Sequence, residues 1–215
     1  MRQGLIFDLD GTLWDSTEVI RPVWNGILTA HGRRALDEAA FGALMGMTKA
    51  GIAARLFPEF QETDRIAVID ECFEAEQRVL RLVGGRLYPG LRETLEKLHA
   101  RYGLYIVSNC APGYLDAFFE AHGLRFCFDD FETHGGTGLS KGGNIRLIVN
   151  RNNLVRAWYI GDTRSDAEAA AEAGLPFIHA AYGFGEVPEA ALRIGRIEEL
   201  PALMSAIEGR EKACP

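Results

Sequence analysis

The segment LIFDLDGTLWDS, residues 5–16, places two carboxylates, Asp8 and Asp10, directly after a run of apolar residues. The apolar run predicts a buried strand, and side chains two positions apart in a strand point to the same side. Of two neighbouring carboxylates, one can act as a nucleophile while the other acts as an acid and a base. The segment therefore predicts a reactive pair of aspartates at the end of a core strand.

More polar side chains follow later apolar stretches or precede a helical pattern. They are Ser108 and Asn109 at the end of YIVSN, Lys141 before a helix, Asp162 at the end of WYIGD, and Asp166 shortly after it. Parallel strands end at one edge of their sheet, and ligands bind beyond that edge. We therefore expect these side chains and the aspartate pair to meet in one pocket.

Several carboxylates in one pocket would repel one another unless a cation lay among them. Mg²⁺ prefers oxygen ligands and neutralises phosphate oxygens, so the cluster predicts a magnesium site for a phosphorylated substrate. Lys141 would add positive charge beside the nucleophile and the phosphoryl group. Ser108 and Asn109 would donate hydrogen bonds to phosphate oxygens. The predicted metal ligands are Asp8, Asp10, Asp162 and Asp166.

The elements that must position these residues alternate between strand and helix after residue 88, which predicts a parallel sheet covered on both faces. Residues 15–87 carry only helical patterns, and we expect no strand there. The sequence thus predicts an α/β fold: a doubly wound, Rossmann-like core of residues 1–14 and 88–215 with a helical cap, 15–87, inserted after the first strand. Hinges are expected near 14–16 and 86–90.

Composition limits the possible partners and location. The net charge of −7 argues against nucleic-acid binding, because neutralising phosphates needs a basic surface. No signal peptide and no membrane-spanning apolar run are evident. The cysteines have no C-x-x-C spacing, so reduced thiols and a cytoplasmic location are predicted. The oligomeric state stays open. The cysteines are Cys72, Cys110, Cys127 and Cys214.

Taken together, DLDGTLWDS, Ser108, Lys141 and GDTRSDAEAA resemble, in order and spacing, the four motifs of the haloacid dehalogenase-like hydrolase superfamily. The closest resemblance is to its phosphoglycolate phosphatase-like branch, which has a type-one helical cap. The resemblance implies an Mg²⁺-dependent phosphatase that forms an aspartyl phosphate on a small phosphorylated metabolite. Which metabolite it is stays open.

The resemblance also implies a role for each matching residue. Asp8 would be the nucleophile and a metal ligand, and Asp10 the general acid and base, binding the metal through its backbone carbonyl. Thr12 would position Asp10, Ser108 would hold the phosphoryl group, and Lys141 would stabilise its charge. Asp162 would bind the metal directly, and Asp166 directly or through water.

Three alternatives remain. The segment LMGMTKAG resembles the cap loop of phosphonoacetaldehyde hydrolase, so Lys49 is a candidate for contact with an anionic substrate. That enzyme has an alanine where Asp10 stands, which favours ester hydrolysis here. A phosphomutase of the β-phosphoglucomutase type would keep both aspartates. A non-enzymatic, receiver-like module would hold its aspartyl phosphate for a long time, which Asp10 argues against.

Overall fold

The computed structural model describes residues 3–212 of the 215-residue chain. The strands are β1 Gln3–Phe7, β2 Trp14–Asp15, β3 Arg86–Leu87, β4 Gly103–Ser108, β5 Asp130–Thr133, β6 Arg156–Gly161, β7 Phe177–Ala180 and β8 Leu192–Ile194. The helices are α1 Thr17–Ala30, α2 Glu38–Gly42, α3 Lys49–Leu56, α4 Glu62–Val83, α5 Leu91–His99, α6 Tyr114–His122, α7 His134–Thr137, α8 Lys141–Arg151, α9 Arg164–Ala173 and α10 Leu200–Lys212.

Six strands form one parallel sheet in the order β5-β4-β1-β6-β7-β8. The first strand, β1, lies in the middle, between β4 and β6. The chain builds the sheet outward on both sides of β1, so the strand order reverses there. The carboxyl ends of these three strands consequently lie side by side at a switch point, where ligands bind in such sheets.

Successive residues of β1 pack into two different cores. Leu5 and Phe7 belong to one apolar cluster, whereas Ile6 belongs to another, which also contains Ile145 of α8 and Ala170 of α9. Helices therefore cover both faces of the sheet, which explains why the strand is apolar at every position. The predicted fold class, a doubly wound parallel α/β structure with added helices, is confirmed.

The helices α1–α4 lie between β2 and β3, and we call them the inserted helices. The two chain passages that lead to them pair as a short antiparallel ribbon, with Trp14 opposite Leu87 and Asp15 opposite Arg86. The expectation of no strand in this region was wrong, because two-residue strands are too short to show alternation in a sequence. The division into a core and a cap at these boundaries stays a prediction.

Other elements also differ from the prediction. The edge strand β8 was missed, since its three residues include an exposed arginine, Arg193. Helix α2 is only five residues long and ends at Gly42. The last helix runs to Lys212, and Cys214 lies outside the described residues. Between residues 3 and 212, no helix combines the length and apolarity needed to cross a bilayer.

Candidate active site

The loop after β1 carries both aspartates. Because β1 ends at Phe7, Asp8 and Asp10 follow the strand instead of occupying it, so the argument from strand alternation was wrong. The backbone N–H of Asp8 still donates to the carbonyl of Ile160, at 2.8 Å, and both carboxylates line the same cavity. Gly11 turns the chain with φ +81°, and a Cβ there would lie 2.2 Å from Oδ2 of Asp162. A glycine is therefore required beside this aspartate.

Lys141 connects two buried carboxylates. Its Nζ lies 2.9 Å from Oδ1 of Asp8 and 2.6 Å from Oδ1 of Asp166, and all three side chains are almost wholly buried. Burial alone would lower the pKa of Lys141, but Asp166 and Asp8 raise it well above its ordinary value. For Asp166, burial is outweighed by Lys141 and by hydrogen bonds from Thr163, which lower its pKa. Lys141 is therefore a fixed positive charge beside Asp8.

Asp166 has a second function, as a helix cap. The side chains of Thr163 and Asp166 form a capping box at the start of α9, and Oδ2 of Asp166 accepts hydrogen bonds from the N–H and Oγ1 of Thr163. A Cβ at Gly161 would lie 2.5 Å from Cβ of Asp166. The G-D-x-x-x-D spacing thus lets α9 begin close against the end of β6 and directs Asp166 inward.

Three carboxylates, those of Asp8, Asp162 and Asp166, offer oxygens within 4.8 Å of one another. Burial, followed by the charge of Asp166, raises the pKa of Asp162 to about 7. For Asp8, burial raises the pKa well above its usual value, the charges of Asp166 and Asp162 add to this, and Lys141 opposes it. At Asp8, burial and the neighbouring carboxylates together thus outweigh Lys141. Such an all-oxygen donor set fits a hard divalent cation like Mg²⁺.

Asp10 is held by three donors on a single oxygen. Its Oδ1 accepts hydrogen bonds from Nε1 of Trp14 at 2.9 Å, Oγ of Ser16 at 3.1 Å and the hydroxyl of Tyr114 at 2.8 Å. Burial raises the pKa of Asp10 to about 6, while these hydrogen bonds act in the opposite direction. The carboxyl is consequently fixed in orientation and titrates near neutrality, as a group that exchanges protons must.

The positioning of Asp10 differs from the prediction at two residues, Thr12 and Tyr114. Thr12 was expected to hold Asp10, but its hydroxyl lies against Asp162, 3.4 Å from Oδ1, because the turn at Gly11 directs it there. Tyr114 was missed entirely. Its position at the start of α6, far along the chain from Asp10, left no signal in the sequence.

Ser108 and Asn109 lie where β4 ends. Ser108 is buried, and its Oγ accepts a hydrogen bond from the N–H of Cys110 at 3.2 Å. The amide of Asn109 instead donates to the carbonyl of Gly46, at 2.8 Å, in the loop between α2 and α3. Both residues line the cavity with the aspartates. Asn109 thus connects the sheet edge to the inserted helices.

Lys49 is not brought to the site. Its Nζ donates to Oδ1 of Asp70 at 2.7 Å, and both side chains are partly exposed. It is not among the described residues that line the cavity holding Asp8 and Asp10. Helix α3 begins at Lys49, with Thr48 as its N-cap, and α4 lies beside it. The structure therefore gives the predicted substrate contact of Lys49 no support.

A cavity that is partly open to solvent lies beside the aspartates. One carboxyl from the inserted helices, that of Glu76, also lines it. Glu76 is 3 % exposed, and its Oε2 accepts a hydrogen bond from Nε1 of Trp24 at 2.6 Å. The sequence prediction missed it, although a signal was present: Cys72, Glu76 and Leu80 are spaced by one helical turn, which places the glutamate on the buried face of α4.

A family model described as haloacid dehalogenase-like hydrolase matches residues 5–180 of the chain, which contain every residue of this site. The chain belongs to this family. The predicted resemblance is thereby confirmed. A structure of a haloacid dehalogenase-like hydrolase from Streptococcus pneumoniae shares the fold, with a TM-score of 0.83 and 22% identity over 94% of this chain and 98% of that one.

Two curated relatives from this family are phosphatases. The phosphoglycolate phosphatase of Rhodobacter capsulatus is 29% identical, over 97% of this chain and 98% of its own length. The phosphoglycolate phosphatase of Synechococcus elongatus is also 29% identical, over 86% of both chains. The chain is accordingly an enzyme, a phosphatase of the haloacid dehalogenase-like family, as its motifs predicted.

Proposed function

We propose that the chain hydrolyses a small phosphorylated metabolite, with Mg²⁺, through an aspartyl phosphate on Asp8. The observation that carries this proposal is the buried cluster in which Lys141 bridges Asp8 and Asp166, with Asp162 beside them and Asp10 lining the same cavity. A single cluster thus combines a nucleophile, a fixed cation, a set of metal ligands and a proton-exchanging acid.

In the first step, a carboxylate oxygen of Asp8 attacks phosphorus, and the bond from phosphorus to the ester oxygen breaks. Lys141 stabilises the anionic form of Asp8 through its 2.9 Å contact. Ser108, at the end of β4, donates a hydrogen bond to the phosphoryl group. Asp8, Asp162, Asp166 and the backbone carbonyl of Asp10 would hold Mg²⁺, which would supply positive charge to the phosphoryl group.

Asp10 transfers the protons in both steps. It protonates the departing alcohol, and it then accepts a proton from the water that hydrolyses the aspartyl phosphate. A pKa of about 6 suits both directions of transfer near neutral pH. The hydrogen bonds to Oδ1 leave Oδ2 as the oxygen for this exchange. This second role distinguishes a phosphatase from a module that keeps its phosphate.

The test is turnover of p-nitrophenyl phosphate with Mg²⁺, after EDTA, and in Asp8→Asn. We expect EDTA to abolish turnover and Asp8→Asn to lower kcat by at least about a thousandfold, as loss of a nucleophile does in other enzymes. The exposed Asp116→Asn serves as the matched control and should retain activity. Activity that survives in Asp8→Asn, a phosphoprotein that persists for hours, or a requirement for a bisphosphate would each contradict the proposal.

A cytoplasmic location is part of the same proposal. The cysteines Cys72, Cys110 and Cys127 are free thiols, two of them buried. Unpaired cysteines are usual in proteins of a reducing compartment. Fractionation of the native host followed by immunodetection tests this part, and a signal confined to a secreted or periplasmic fraction would contradict it.

A further inference from the structure

The part of the cavity that would receive the leaving group is apolar. The inserted helices and their loops cover the aspartates with large hydrophobic side chains, among them Trp24, Phe41, Met45, Met47 and Phe73. Asp8, Asp10 and Ser108 line the same cavity, and the phosphoryl group would lie beside them. An ester whose phosphoryl group lies beside Asp8 and Ser108 can extend its alcohol within this cavity toward Glu76 and its apolar neighbours.

Among the described residues, no cationic side chain lines the cavity beside Glu76. The described residues that line it include the carboxyls of Asp8, Asp10 and Glu76 but no lysine, arginine or histidine. Lys141, which bridges Asp8 and Asp166, does not line it. A leaving group that carries a carboxylate or a second phosphate would lose its hydration here without gaining a cationic partner, and burying an unpaired charge is costly.

Glu76 is held in a fixed position within these surroundings. Its Oε2 accepts the hydrogen bond from Trp24, whose ring packs edge-on against Phe41 with the two centroids 5.5 Å apart. Burial raises the pKa of Glu76 well above its ordinary value, and the charge of Asp10 also raises it. The apolar surroundings and the charge of Asp10 thus disfavour negative charge at this position, and the carboxylate of a leaving group would meet the same environment.

We infer that Glu76 selects the substrate by its leaving group. The cavity accepts a phosphate monoester whose alcohol is mostly apolar and carries a hydroxyl or amino group that hydrogen-bonds to Glu76, and it rejects esters whose alcohol bears a carboxylate. This inference rests on the proposed function and narrows its substrate class. Phosphoglycolate, after which the curated relatives are named, has an anionic leaving group and is therefore a poor substrate of this chain.

The test uses four phosphate esters of one chain length that differ only at the far end: n-butyl, 4-hydroxybutyl, 4-aminobutyl and 3-carboxypropyl phosphate. Phosphate release by the wild-type enzyme with Mg²⁺ gives kcat/KM for each. We expect the hydroxyl or the amino ester to exceed the carboxylate ester by about ten- to a hundredfold, the range for a hydrogen bond to a charged group. Which of the two is preferred then distinguishes an alcohol from an amine as the natural group.

Two variants on helix α4 assign the preference to one side chain. Glu76→Gln keeps the volume and can still accept the hydrogen bond from Trp24. Because it removes the ionisable carboxyl and one acceptor oxygen, it should reduce the preference for the hydroxyl or amino ester over the carboxylate ester to within about threefold. Glu74→Gln, on the exposed face of the same helix, should leave the preference as in the wild type. Melting temperatures of both variants check that they are folded.

Two results would overturn the inference. One is a wild-type kcat/KM for the carboxylate ester, or for phosphoglycolate, that equals or exceeds that of the hydroxyl and amino esters. The other is a preference that Glu76→Gln leaves unchanged. If turnover of p-nitrophenyl phosphate still requires Asp8 and Mg²⁺, either result contradicts only the role of Glu76, and the proposed function stands. If turnover does not require Asp8 and Mg²⁺, the proposed function is contradicted as well.

Discussion

A single oxygen of Asp10 receives hydrogen bonds from Trp14, Ser16 and Tyr114, and this arrangement determines how the acid can act. The hydroxyls of Ser16 and Tyr114 also lie 2.7 Å apart, and because each has a single proton, neither donates to the other while both donate to Asp10. With Oδ1 fully engaged, the other oxygen is the one available for proton exchange. Tyr114 therefore acts as a positioning residue for Asp10, although it need not touch the substrate.

Tyr114→Phe should lower kcat by about tenfold, the usual consequence of losing one hydrogen bond to a charged group. The hydrogen bond from Tyr114 lowers the pKa of Asp10. Its loss should therefore move the Asp10 limb of the pH–rate profile to higher pH than in the wild type. Tyr102→Phe, which alters a tyrosine that hydrogen-bonds to Glu208, is the control. An unchanged profile in Tyr114→Phe would show that Tyr114 serves only to pack the fold.

Gly11 gives a second prediction for a single residue. Its φ of +81° is unfavourable for alanine, and the added Cβ would lie 2.2 Å from Oδ2 of Asp162. Gly11→Ala should cost about 1–3 kcal/mol of stability through backbone strain and should weaken Mg²⁺ binding by displacing Asp162. Chemical denaturation and Mg²⁺ titration measure the two effects. Gly26→Ala, in α1 with open space at its Cβ, should show neither effect.

The sequence predicted the site residues that stand at the ends of strands or the starts of helices, and it did not predict those that depend on how the helices pack. Asp8, Lys141, Asp162 and Asp166 each stand at a strand end or helix start, so a parallel sheet brings them together whatever the details of packing. Tyr114 depends on how α6 approaches the loop after β1, which no short motif encodes. Thr12 was placed wrongly because the direction of its side chain depends on the turn at Gly11.

At the scale of elements, α4 illustrates how a helix can carry both packing and recognition. Its buried residues include Ile69, Cys72, Glu76 and Leu80, so one apolar face contains a single carboxyl. The helical pattern of residues 15–87 predicted a helix here. It could not indicate that this face looks onto the aspartates, because that depends on the tertiary position of α4 against α1 and α6.

The carboxyl of Glu76 should reduce stability near neutral pH. Because its folded-state pKa lies well above the usual value, its contribution to stability is fully present below about pH 4.5 and is lost as the pH rises through the folded-state pKa. Glu76→Gln, which does not ionise, should therefore have a higher melting temperature than the wild type at pH 8, and the difference should shrink toward pH 5. A difference that grows toward low pH would contradict this assignment.

The ribbon of β2 and β3 is the element that sequence patterns could not supply. Each strand has two residues, and the hinges predicted near 14–16 and 86–90 coincide with it. Trp14 also packs edge-on against Phe118 of α6, with the centroids 5.1 Å apart. The ribbon is thus joined to the helices of the core side, and we propose that the inserted helices move relative to it.

At the scale of the whole molecule, contacts between the inserted helices and the rest of the chain hold these helices over the cavity. Among the described residues, hydrogen bonds and an ion pair connect the two parts directly. They join the amide of Asn109 to the carbonyl of Gly46, the amide of Gln77 to the carbonyl of Pro112, and Arg81 to Glu120. The first lies at the cavity itself, beside Ser108. Asn109 was predicted as a contact for the phosphoryl group, but in this arrangement its amide is engaged by the loop of residues 43–48.

Asn109→Ala should therefore loosen the closure. The loss of one hydrogen bond is worth about 1 kcal/mol, or roughly a fivefold shift of the opening equilibrium toward the open form. Hydrogen–deuterium exchange of residues 43–48 should accelerate by that factor, and kcat/KM should fall because water enters the site more readily. Asn150→Ala, on the exposed face of α8, should change neither quantity. If Asn109→Ala lowers activity while exchange in 43–48 stays as in the wild type, Asn109 acts on the phosphoryl group, as its place after β4 first indicated, and the closure must depend on other contacts.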